Sequence, residues 1–123
     1  MHHATIHAYD DPKLQPVRDL LSEFEQTESA TSPEQRRQVV ARARQWGLGR
    51  TPQAPTSISP ALQGYADKCA RFAYKVTDEE VDALKATGTT ETALIEITLA
   101  ASLGVSLARL EQGLMLLGSE DEQ

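Results

Sequence analysis

Apolar residues recur at helical spacing in five segments of this chain, and they grow denser toward its C-terminal half. In the first, residues 16–26, Val17, Leu20, Leu21 and Phe24 form one narrow stripe flanked by Arg18, Asp19, Glu23 and Glu25. A second helix is predicted from Ser32, because Ser32-Pro33-Glu34-Gln35 supplies a capping hydroxyl, a proline at the first helical position and a Gln to close a capping box. It should stop near Trp46, with Gly47 in the left-handed cap position and Val39, Val40, Ala43 and Trp46 along one side. Ser59-Pro60 repeats the start signal. Leu62, Tyr65, Ala66, Cys69, Phe72, Ala73 and Val76 then fall on one face and Lys68, Arg71 and Lys75 on the other. Thr77 with Glu80 opens a short fourth helix, with Val81 and Leu84 facing inward and Gly88 as its stop. The last helix opens at Thr89 or Thr90, and from Leu94 to Leu107 almost every position is apolar or small.

These patterns predict an all-α protein. The loop at residues 47–59, rich in glycine, proline and small polar residues, separates a polar part from an apolar one. Three regions follow: residues 1–58 as an N-terminal helical arm and linker, 59–118 as the structural module, and 119–123 as an acidic tail. A helix apolar on more than one side needs cover on more than one side, which predicts self-association through it. Gly104, with Ala100, Ala101 and Ala108, would let a neighbouring helix approach closely; the competing expectation is a kink at Gly104.

Composition narrows the function. With 12 basic and 18 acidic residues the net charge is −6, which argues against a general nucleic-acid binder. Five arginines, Arg36, Arg37, Arg42, Arg44 and Arg50, cluster in the second helix and its loop. They are read as a solvated face, with pairing to an acidic partner or to the Glu-rich first helix as the next reading and Arg42 and Arg44 as the candidates for partner contact. A single cysteine excludes an internal disulfide and suits a reducing cytoplasm. The N-terminus lacks a basic segment leading into an apolar run, so no export signal is expected. The longest uncharged apolar run, at residues 97–108, falls short of the about 20 residues of a membrane span, so a soluble protein is expected, with no membrane partner.

Residues 60–118 resemble the carboxymuconolactone decarboxylase-like, or alkylhydroperoxidase AhpD-like, family. The likeness rests on Tyr65 in an amphipathic helix, V-T-D-E-E-V at residues 76–81, the stop at 83–88, E-I-x-L-A-A at 96–101, and Arg109-Leu110. It implies an AhpD-like helical bundle that assembles as a trimer or hexamer through its long helix, possibly beside a catalytic paralogue. Catalytic relatives are expected to carry a Cys-x-x-Cys with nearby histidine and glutamate, in which a thiolate attacks peroxide and a second thiol resolves the sulfenic acid. Here Cys69 stands alone, Phe72 occupies the position three residues on, and the histidines, His2, His3 and His7, lie in the arm. The histidine-bearing decarboxylase pocket is equally without its histidine.

Weak catalytic candidates remain. Cys69 could act as a one-cysteine peroxidase, although on an apolar helix face it should be inert. Glu96, a carboxylate in an apolar helix, could be a general base if burial raised its pKa; a partner for it must come from another helix, because Arg109 is nearly four turns away. Tyr65 and Arg109 could complete a site at a subunit interface. Tyr74 is expected to pack. His3 could chelate copper or nickel near a free amino terminus, and no other metal or cofactor is indicated. The expected function is therefore a non-catalytic oligomeric or partner-binding subunit, with a divergent peroxidase or decarboxylase-like enzyme and a small-molecule-binding or regulatory protein as the alternatives.

Overall fold

The computed structural model describes residues 11–121, with side chains to residue 118; His2, His3, His7 and the acidic tail's side chains lie outside this range. Among the described residues the chain is all-helical: α1 (Gln15–Gln26), α2 (Pro33–Gly47), α3 (Pro60–Phe72), α4 (Asp78–Ala86) and α5 (Glu91–Asp121), with single 3-10 turns at Pro12–Leu14 and Ala73–Lys75.

The caps form where the sequence places them. Ser32 and Gln35 make a reciprocal capping box, as do Thr77 and Glu80, and the Ser59 hydroxyl accepts from the Leu62 amide. Gly88, at φ 99°, ends α4, with the Thr89 amide donating back to the Leu84 carbonyl and that of Gly88 to Lys85. The corresponding cap of α2 falls two residues later than expected. Gly49, at φ 78°, takes the left-handed conformation, while Gly47 stays in the helix. α3 also stops early, so Ala73 and Tyr74 are exposed instead of packed, and Leu20 of α1 points to solvent.

α5 is the axis of the fold. Its most extensive neighbour is α2, followed by α3. The two run in the same direction, because Arg36 meets Glu96 near one end and Gly47 meets Ala108 near the other. Their separation is set by small residues. A Cβ on Gly104 would lie 2.3 Å from the Val40 carbonyl oxygen and 2.7 Å from the Ala43 Cβ, and one on Gly47 would lie 2.7 Å from the Ala108 Cβ. The close approach expected at Gly104 is thus made by α2 of the same chain, and α5 passes through Gly104 as uninterrupted helix. Val39, Val40 and Ala43 of α2 share one core with Leu62, Tyr65 and Ala66 of α3 and Leu94, Ile97, Ala100 and Ala101 of α5. Both sides of the 47–59 loop contribute to it.

α5 is also longer than its cover. The core-facing stripe of Ile97, Ala101, Gly104, Ala108 and Glu111 continues to Met115, yet Met115 is 62% exposed because α2 has already ended. By length and composition the stretch from Glu91 to Gly118 could cross a membrane, which the 12-residue run understated; 44% of its most apolar window is buried inside the fold.

Gly104→Ala should cost about 3 kcal/mol, because the backbone of α2 must move to admit one methyl group. Gly64→Ala, in open space within α3, should gain about 0.5–1 kcal/mol from helix propensity. Denaturant melts of the two variants check both signs.

Candidate functional site

Arg36, Arg42 and Arg44 are drawn into ion pairs within the fold, while Glu34, Arg37 and Arg50 remain on a solvated surface. Arg36 is 1% exposed. Its position three and four residues before Val39 and Val40 puts it on the core-facing side of α2. Its guanidinium donates to the backbone carbonyls of Phe24 at 3.1 Å and Thr31 at 2.6 Å and to that of Thr27, and it lies over the Phe24 ring at 5.6 Å. It also meets Glu96 of α5 at 3.5 Å. Glu96 in turn accepts from the Thr31 amide at 2.8 Å, the Thr31 hydroxyl at 2.5 Å and the Ser29 hydroxyl. The pair clamps the α1–α2 turn onto α5.

Burial alone would raise the Glu96 pKa, but the hydrogen bonds from Ser29 and Thr31 outweigh it and hold the carboxyl below the ordinary range. A raised pKa would bring the carboxyl nearer general-base work; the shift here is the opposite, and Glu96 is held as an anion by these hydrogen bonds. Its partner is Arg36, supplied by another helix of the same chain.

Three further arginines of the cluster are engaged, Arg42, Arg44 and Arg37. Arg42 makes a two-pronged contact with Asp67 of α3 at 2.7 and 2.9 Å, and Trp46 donates to the same carboxylate at 3.0 Å. Arg44 grips Glu111, which is buried on α5, at 2.5 and 2.7 Å. Arg37 pairs with Glu34 on the surface, and Arg50 is exposed. The acidic partners of Arg36, Arg42 and Arg44 come from α3 and α5, not from the Glu-rich α1.

On the opposite side of α5, Tyr65 and Cys69 come together with Thr98. The Tyr65 and Thr98 hydroxyls are 2.7 Å apart. Burial pushes the half-buried Cys69 thiol up, and hydrogen bonding to Tyr65 and Thr98 does not offset it; the Tyr65 phenol is raised by the same cause. A lowered pKa is what activates a thiol as a nucleophile, and the shift here runs the other way; the trio joins α3 to α5. Above it runs an open groove of about 320 Å³, floored by Tyr65, Val81, Leu94, Ile95, Thr98 and Leu99. Arg109 is exposed farther along α5, and Glu96 faces α2. The four catalytic candidates therefore do not converge, and among the described residues no group of three or more His, Cys, Asp or Glu side chains could hold a metal.

What the helical pattern left unread is the buried side of the charge distribution. Arg36, Asp67 and Glu111 were identifiable only by asking which charges fall in line with apolar neighbours. Compared with known proteins, the chain matches no family model, and neither a curated protein nor a solved structure is significantly similar to it.

Because Glu96 ionises at lower pH when folded than when unfolded, its contribution is fully present above the unfolded value near 4.5 and is lost as the pH falls through the folded value. The thermal midpoint should drop on acidification below about pH 4.5. Glu96→Gln should be destabilised at pH 7, by about 3 kcal/mol for the loss of one partner of a buried pair, and should show a flatter acid limb. Melts of both proteins between pH 7 and 3 test this.

Proposed function

We propose that this chain is a non-catalytic protein of the AhpD-like helical type that works as an oligomeric or partner-binding subunit in a reducing cytoplasm. The observation that carries the reading is the uncovered apolar face of α5. Ile95 and Leu99 are 55% and 49% exposed, Leu110 is 42% exposed, and Leu116 and Leu117 stand free at the projecting end. Apolar area left in water on one continuous helix face is the usual mark of an interaction surface. The likeness of residues 60–118 to helical proteins that assemble through their long helices supports the same conclusion, and a catalytic paralogue is one partner it suggests.

The divergent-enzyme alternative has one feature in its favour, the meeting of Tyr65 and Cys69 beneath a groove. The raised thiol weighs against it.

Light scattering on the purified protein should give a mass that is a multiple of 13.5 kDa, and Leu99→Glu or Leu110→Glu should lower it to that of one chain without lowering helicity. A stable single-chain mass for the unmodified protein, with no association at high concentration, would overturn self-assembly. Recovery of the chain in the membrane fraction would assign the face to lipid instead.

A further inference from the structure

The exposed side of α5 carries a regular spacing. Leu99, Leu103, Ser106, Leu110, Gly113 and Leu117 follow one another at intervals of four and three residues, the repeat of a coiled-coil seam. Leu103, Leu110 and Leu117 occupy one type of seam position, and Leu99, Ser106 and Gly113 the other. Leu103 is partly covered by the core and the rest are exposed. The seam points away from α2, because Gly104, Ala108 and Glu111 lie on the other side of the helix against that partner.

The large and small members of the seam are arranged so that the helix complements itself when reversed. In an antiparallel pair the two types of position face each other. Centred between Ser106 and Leu110, that pairing sets Leu110 against Ser106 of the second copy, Leu103 against Gly113, and Leu99 against Leu117. Each interior layer joins a leucine to a residue small enough to receive it. A parallel pair would instead set Gly113 against Gly113 and Ser106 against Ser106, leaving voids in those layers.

The same register explains where the uncovered end of α5 goes. The seven residues after Glu111 extend about 10 Å. Placing Leu117 over Leu99 of the other copy lays that end across the groove floored by Ile95, Leu99 and Tyr65. The two exposed features, groove and projecting end, then cover each other twice about one axis, as an isologous contact requires.

We propose that two copies of this chain associate through antiparallel α5 helices in this register, with the end of each α5 seated in the groove of the other. The proposal rests on the reading of the protein as an assembling subunit and names its partner. The contact makes a dimer, and it can also stand as the two-fold contact of a hexamer; it does not occur within a trimer.

Cross-linking in a Cys69→Ser background tests it, beside the light-scattering mass. Arg109, next to the axis, lies close to its own copy, so Arg109→Cys should form an intersubunit disulfide readily. Leu117→Cys should not cross-link to itself, because its two copies stand about 27 Å apart, but should cross-link to Leu99→Cys when the two proteins are mixed. A Cβ added at Gly113 meets nothing within 4 Å in its own chain and the position is exposed, whereas the side chain of Gly113→Leu would strike Leu103 of the partner. This variant should retain or raise helicity while weakening association at least tenfold. Self-cross-linking of Leu117→Cys, or an oligomer that Gly113→Leu leaves intact, would overturn this register while leaving an assembling subunit. A single-chain mass at every concentration would overturn both.

Discussion

The parallel crossing of α2 on α5 is the constraint on which the remaining structure depends. Gly104 and Gly47 admit backbone contact that any side chain would block, and that contact brings α2 near enough for Arg36 to reach Glu96 and for Arg44 to reach Glu111. Neither carboxylate could stay on a mostly apolar helix without a cation, because an unpaired buried charge costs several kcal/mol. The small residues and the ion pairs thus require each other. Together they fix the position of the α1–α2 turn through Thr27, Ser29 and Thr31, and so the place of α1.

This arrangement divides α5 into two faces with different fates. The side bearing Ile97, Ala101, Gly104 and Ala108 is used up within the chain. The side bearing Ile95, Leu99, Leu110 and Leu117 is left to water. A helix that looked too apolar for one chain is therefore only half covered within it. The polar groups that could have suggested chemistry are occupied with holding the fold: Glu96 as a hydrogen-bonded anion, Tyr65 and Cys69 as packing beside Thr98, and Arg42 and Arg44 in pairs with Asp67 and Glu111.

The helices were legible because their signals are local. Ser32, Ser59 and Thr77 cap where their hydroxyls predict, and Gly88 stops α4 because only glycine readily adopts its φ. The cap at Gly49 and the role of Gly47 were not legible, since both lie at the same helix end and only the approach of Ala108 decides which glycine serves packing. The partners of the arginines were hidden for a similar reason. A charge in line with a helix's apolar stripe is neutralised by a residue tens of positions away, and spacing along one helix contains no record of it. Among the candidates, the proximity of Tyr65 and Cys69 followed from their i, i+4 relation, whereas the separation of Glu96 from both depended on how α5 is rotated against α2.

Native-state hydrogen exchange tests most directly whether α2 and α5 form one cooperative unit. Amides of Val39, Val40 and Ala43 should exchange with the same free energy and denaturant dependence as those of Ile97, Ala100 and Ala101, through global unfolding. Exchange of the α2 amides through a separate opening of much lower free energy, with α5 still protected, would show α2 to be a detachable arm and would contradict the account.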